Sequence, residues 1–526
     1  MKRYHQAMLA ILLMIAASSL GAQTASDMEN ELSNYFDPIT TGTNGLGPGL
    51  LPLNGLNFDQ EARDFRDKMA SYGTNNDITT TWQGATVRWS TQSVSWTSDD
   101  SILLITGDDG NPAPNVSGTI TGTYSSVYVV GGKGSAANAQ GGSATATNNA
   151  STNGGYCTAW GGDAATGTGD SGGGFATNSD LGPAFAHSGE TDSGDTGMAI
   201  ALAELHAEAV GGDTDSGICA LAWAISYSST ASAFGGNAGS GDAGQASAEA
   251  EDEALAIGGD SNTGDPGGAG AESHAGDAEA TGGSTQGTGL AGGAIATSDT
   301  GHAEARGGDS ANGAGGVALA FGWTSATATG GDGGGTSFFG DAYAEADGPA
   351  VAIGGDDAGA AQGGDAEAIS FSSTATATGG DSVNGHGGDA TAEADGDAYA
   401  TAGSALTPVV GAEGGVARAT VVSGGTGDAV ATGGAGNVGG NAFAVMNSSG
   451  TAVAVGGRGD LDPGNTDSRG GDADARHNTS SGTAVATSGN ADSTNGTGGD
   501  AVARNHLNQT NTFTATTWQG GTVVAP

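Results

Sequence analysis

Alanine alternates with other residue types through most of this chain. Ala326-Thr-Ala328, Ala342-Tyr-Ala-Glu-Ala346, Ala350-Val-Ala352, Ala375-Thr-Ala377, Ala390-Thr-Ala-Glu-Ala394 and Ala452-Val-Ala454 all repeat with period two. That period predicts strands whose two residue sets face opposite sides. The non-alanine set includes Glu345, Glu367, Glu393, Asp395, Thr376 and Tyr343. Charges stay in water, so the alanines are expected to face inward.

The strands are phased by glycine. Gly-Gly-Asp triplets end at Asp332, Asp356 and Asp381, and Gly-Asp-Ala aspartates stand at Asp341, Asp365 and Asp389, so two landmarks recur together every 24 or 25 residues. The first series extends back through Asp260, Asn237 and Asp213 and loosens beyond about position 400, with copies near Arg458 and Asp472. Asn-Gly in the fullest copies, as at Asn312-Gly313 and Asn384-Gly385, predicts tight turns of positive φ. One unit of two short strands cannot cover its own alanine face, whereas stacked units can. The expected fold is all-β: a narrow two-sided β-solenoid of about 24 residues per coil, with an alanine core and glycine turns, its like strands about 4.8 Å apart.

The ends depart from this pattern. Lys2 and Arg3 precede an apolar run over 7–17, and small residues follow at Ser19, Gly21 and Ala22, which together read as a secretory signal over 1–22. Over 23–76, a capping-box pattern at Ser26-Asp-Met-Glu29 and the helical spacing of Phe58, Ala62, Phe65 and Met69 predict two short helices. Residues 77–130 are richer in Thr, Val, Ile and Trp and predict a β-rich cap. The solenoid is assigned to 131–505 and a C-terminal capping strand to 506–526. Thr516-Thr-Trp518-Gln-Gly-Gly-Thr-Val523 nearly repeats Thr80-Thr-Trp82-Gln-Gly-Ala-Thr-Val87. These segments predict similar capping coils, or matching ends that stack subunits head to tail through Trp82 and Trp518.

Composition narrows the function classes. Of 526 residues 102 are glycine and only 5% aromatic, which argues against a bulky core; 58 acidic against 13 basic residues give a net charge of −45. Nucleic acid and anionic lipid are therefore not expected partners, and no later apolar run is long enough to predict membrane insertion. Cys157 and Cys219, roughly two and a half coils apart, read as small buried thiols, with a disulfide open only where irregular early coils bring them together. The eight histidines form no metal-ligand spacing.

Rows of aspartate are the strongest chemical signal. Like charges repeated once per coil repel, and calcium would relieve that repulsion through carboxylate and carbonyl oxygens. The candidate ligands are Asp213, Asp215, Asp260, Asp332, Asp356, Asp381, Asp460, Asp462 and Asp467, the last three crowded into one irregular loop with Asn465. The competing reading is that these side chains bond their own turns. Arg458-Gly-Asp460 matches an integrin tripeptide and reads as a plain turn.

Over about 131–505 this Gly/Asp-rich array resembles the repeats-in-toxin calcium β-rolls and other bacterial solenoid adhesins, a likeness that implies calcium as the bound ion. The family's aspartate falls two residues after a third glycine; here Gly456-Gly-Arg-Gly459 is followed by Asp460 and Asp462, one position off. The composition is also similar to the glycine-rich domains of mycobacterial polymorphic repeat proteins, which lack the Ala-x-Ala alternation.

Three functions follow as expectations. The first is an exported acidic rod, structural or adhesive, that self-associates through outward apolar residues such as Val351, Ile353, Tyr343, Phe321 and Trp323 and meets a carbohydrate or other surface ligand. The second is ice binding through outward threonines, Thr374, Thr376 and Thr378 with Thr327 and Thr329. Val351, Ile353, Glu304, Arg306 and Tyr399 in neighbouring coils count against a uniform face. The third, a β-helical polysaccharide-active enzyme, is disfavoured because the carboxylates are uniform turn residues and basic groups are few.

Overall fold

The computed structural model describes most of residues 77–505 and two short strands at Phe513–Thr516 and Val523–Val524; residues 1–76, 460–467, 492–496, 506–512, 517–522 and several shorter breaks lie outside it. The helices expected over 23–76 fall outside the described residues. Within them every element is a strand, and no helix is long and apolar enough to cross a membrane. The chain divides into two compact units, 1–244 and 245–526.

The second unit shows the coil at its most regular. A strand such as Ala342–Ala346 runs through a three-residue turn into Ala350–Ile353, and a longer glycine-rich segment leads to Ala366–Ser370 in the next coil. Strands like Ala342–Ala346 stack in parallel as one sheet, here the back sheet, and strands like Ala350–Ile353 stack as the front sheet. Register never slips: Ala344 pairs with Ala368, which pairs with Ala392, and Ala352 pairs with Ala377, which pairs with Ala400. The inward positions are almost all alanine and almost all fully buried. The solenoid, its coil length and its alanine core are as the alternation predicts.

Beyond the strands, the two glycine arms of a coil pinch together. The Gly364 N–H donates to the Gly355 carbonyl at 2.8 Å, Gly380 to Gly364 at 2.8 Å, Gly388 to Gly380 at 2.8 Å and Gly403 to Gly388 at 2.9 Å. This zigzag continues through Gly415, Gly434, Gly440, Gly457, Gly471 and Gly489. Glycine is required here by approach: a Cβ at Gly355 would overlap the carbonyl oxygen of Gly331, and one at Gly364 that of Gly340. The expected positive φ is absent at Gly313 and Gly385; among described glycines only Gly167, Gly411, Gly424 and Gly450 adopt it.

Past the pinch the coil closes through a third column of single parallel bridges, Ser310 to Gly333 to Asp357 to Ser382 to Ala405. Its buried hydroxyls tie the loop: Ser382 Oγ donates to the Ala361 carbonyl at 2.6 Å and accepts from the Gly385 N–H at 2.8 Å. A coil therefore has two sheets and one bridged corner, a refinement of the two-sided expectation.

The first unit opens with Ile78–Trp82 antiparallel to Ala85–Ser90, and from there parallel pairs run through Ile102–Gly107 and Ser126–Val130. Trp89, Leu103, Ile105, Ile120 and Tyr128 fill this interior, so 77–130 does carry the larger core its composition predicts. The first duplicated segment makes an antiparallel hairpin; of the second only Thr516 and Val523 are described, in strands that each extend a parallel sheet, and its remaining residues lie outside the description.

Candidate functional site

The Gly-Gly-Asp aspartates lie in a row. Oδ1 of Asp332 accepts the backbone N–H of Asp356 at 2.9 Å, Asp356 accepts that of Asp381 at 2.7 Å, and Asp381 accepts that of Ser404 at 2.7 Å. Asp260 does the same for Ser284, and in the first unit Asp213 for Asn237, each at 2.7 Å. A second row runs from Asp341 through Asp365 and Asp389 to Val416. Each carboxylate caps a corner amide of the following coil, 23 to 27 residues away, rather than an amide of its own turn. Asp215 is exposed and contributes its backbone carbonyl to Ser240 at 2.6 Å. Asp460, Asp462, Asp467 and Trp518 lie outside the described residues; Trp82 sits in a described strand, its side chain outside the description.

Proximity along the rows has an electrostatic consequence. Partial burial, followed by the like charges of Asp309 and Asp356, raises the Asp332 carboxyl above its ordinary range; Asp341 and Asp389 act likewise on partly buried Asp365. One oxygen of each is already committed to an amide, and among the described residues no three His, Cys, Asp or Glu side chains converge to hold a metal. The donors form a line rather than a cage. A calcium ion here would have to bridge the outer oxygens of successive aspartates.

A recess at the short-turn edge of the second unit gathers different chemistry. Phe321, Trp323 and Phe371 line a cleft of about 260 Å³ together with Asp299, Glu345 and Asp347. Trp323 and Phe371 are exposed, at 61% and 54%, and lie two coils apart with Asp347 in the coil between. Glu345 accepts the Tyr343 hydroxyl at 2.6 Å, and Asp299 meets His274 Nδ1 at 3.1 Å. Phe321 and Trp323 stand out in the sequence as outward apolar residues, but the recess carries no local signal, because its members come from four successive coils.

The two thiols stay apart and unpaired. Cys157 takes an inward position paired with Ala184, and burial pushes it up to about 12; Cys219, also buried, is raised to about 11. No family model matches the chain, and neither a curated protein nor a solved structure resembles it.

Proposed function

We propose that this chain is exported and serves as a structural and adhesive scaffold at the cell surface or in the extracellular matrix. The observation that carries the reading is repetition: in each unit the ladders recur coil after coil, and the acidic side chains of the rows are spent on holding corners. Such an interior resists deformation because every coil is bonded to the next along several lines. The short-turn cleft supports the adhesive part. Aromatic faces beside carboxylate acceptors suit the apolar ring faces and hydroxyl groups of a carbohydrate. Calcium enters as a reinforcement of the aspartate rows, and self-association as stacking of copies through their ends.

Electron microscopy of the secreted protein tests the scaffold, with filaments or sheets as the expected result. Dispersed short particles both with calcium and with chelator would overturn the assembly. Retention on a panel of immobilised polysaccharides, lost in Trp323→Ala and kept in Tyr227→Ala, tests the cleft. A calcium-dependent rise in melting temperature is expected, and its absence would remove the ion.

A further inference from the structure

We propose that the outward face of the front sheet between residues 325 and 487 binds the surface of crystalline water. Seven consecutive strands build it, Ser325–Thr329, Ala350–Ile353, Ala375–Thr378, Ala398–Thr401, Ala429–Thr432, Thr451–Val455 and Thr483–Thr487, each pairing with the next in parallel. Their registers set two columns side by side. One reads Thr327, Val351, Thr376, Tyr399, Val430, Val453, Val485; the other reads Thr329, Ile353, Thr378, Thr401, Thr432, Val455, Thr487.

Of these 14 positions, seven are threonine, six are valine or isoleucine, one is tyrosine and none is charged. The back sheet of the same coils, from Ala342–Ala346 to Ala473–His477, carries charge at six of twelve outward positions. A chain of net charge −45 therefore keeps these two columns uncharged beside a charged back sheet, while Asp397 and Asp428, two residues before Tyr399 and Val430, edge them on the short-turn side. The face has a boundary: the preceding strand, His302–Arg306, pairs with Ser325–Thr329 and presents Glu304 and Arg306. Tyr399 interrupts the pattern once.

Chemistry decides among the occupants. Threonine and valine share one branched shape with restricted rotamers, so their methyl and hydroxyl groups repeat on a fixed grid, about 4.8 Å between strands and about 6.7 Å along them. A second copy pressed dry against the face would leave the seven threonine hydroxyls per copy without partners, at about 1–3 kcal/mol each, and would bring two strongly acidic chains together. Anionic membranes are opposed by the same charge. Liquid water satisfies hydroxyls without any grid. An ordered water surface uses both properties: hydroxyls join its hydrogen-bond network, methyls order the water between them, and many weak contacts at fixed spacing add up.

Thermal hysteresis and partition into a growing ice hemisphere test this with the full-length chain. The wild type should show both. Thr432→Lys and Val453→Lys, at the centre of the face, should lose most of the activity with melting temperature little changed. Thr391→Lys, on the back sheet, and Val453→Thr should keep it. A folded wild type excluded from ice, equal losses from lysines on either face, or a concentration-dependent dimer that Val453→Lys dissolves without any ice activity would each overturn the proposal. The outcome is independent of filament formation and of the aromatic cleft.

Discussion

Each coil of the second unit contains two interiors that exclude water by different means. Between the sheets the filling is methyl groups: Ala352, Ala377 and Ala400 are buried in register above one another. At the pinch there is no filling, because the backbones of Gly355, Gly364 and Gly380 bond one another directly. The first interior rests on dispersion and hydrophobic burial at about 0.8 kcal/mol per methyl. The second rests on hydrogen bonds shielded by their own closeness. Alanine and glycine differ by a single methyl, so one small substitution distinguishes the two interiors.

Adding that methyl at the pinch should have the largest effect. In Gly380→Ala the new Cβ would overlap the carbonyl of Gly355 beside the bond that Gly380 donates to Gly364. The expected destabilisation is about 3 kcal/mol or more, the upper range for overpacking, spreading to adjacent coils because each is held only by its neighbours. Gly270→Ala is the matched control. This outward strand glycine meets nothing within 4 Å of an added Cβ, so the same change should be neutral or stabilising by about 0.5–1 kcal/mol. Chemical denaturation of both variants checks the contrast; equal effects would mean that the glycines are not there for close approach.

Enlarging the methyl layer should cost less. Ala377→Leu inserts branched bulk between two sheets spaced for alanine and should cost about 1–3 kcal/mol, read from the same denaturation curves. A buried serine at the short turn should matter less still. Ser370 Oγ donates to the Gly348 carbonyl at 2.6 Å and accepts from the Ser373 N–H at 3.0 Å, yet its register neighbours above and below are Ala346 and Ala394. Ser370→Ala should cost about 1 kcal/mol, with hydrogen exchange faster at the Ser373 amide.

How legible these features were depends on how local they are. Alternation at Ala342–Ala346 is complete within five residues, so strands, facing and stacking were all available from the sequence. The pinch was not, because Gly364 meets Gly340 and Gly355 only after the coil has closed; read singly, such glycines suggest turns, and the turns at Gly313 and Gly385 do not use positive φ. The threonines up to Thr378 were legible, but the continuation of the threonine–valine face beyond them was hidden by uneven coil lengths. From Thr378 the column advances 23 residues to Thr401, 31 to Thr432, 23 to Val455 and 32 to Thr487, so a fixed spacing loses it. Glu304 and Arg306, which argue against a uniform surface when read as neighbours of Thr327, prove to be the row where that surface ends.

The aspartate rows provide the smallest effect and the sharpest sign. Asp332 and Asp365 have carboxyls raised by partial burial and then by like-charged neighbours, so the folded chain holds their protons more tightly than the unfolded chain does. Their contribution is therefore fully favourable below the ordinary carboxylate range, about pH 4, and is lost as pH rises through the raised values. At neutral pH these two carboxylates are a net strain on the fold in chelator, and their contribution to melting temperature should climb as the buffer is acidified toward that range. Asp332→Asn keeps an oxygen for the Asp356 amide, as Asn441 does for Asp472 at 2.8 Å, while removing the charge. It should stabilise by a few tenths of a kcal/mol at neutral pH, since these groups are only partly buried and solvent screens them, and should flatten the acid slope. With calcium present the ordering should reverse, because the asparagine offers the ion one carboxylate fewer; an Asp332→Asn variant that gains the same stability with and without calcium would show the row to be a corner cap alone.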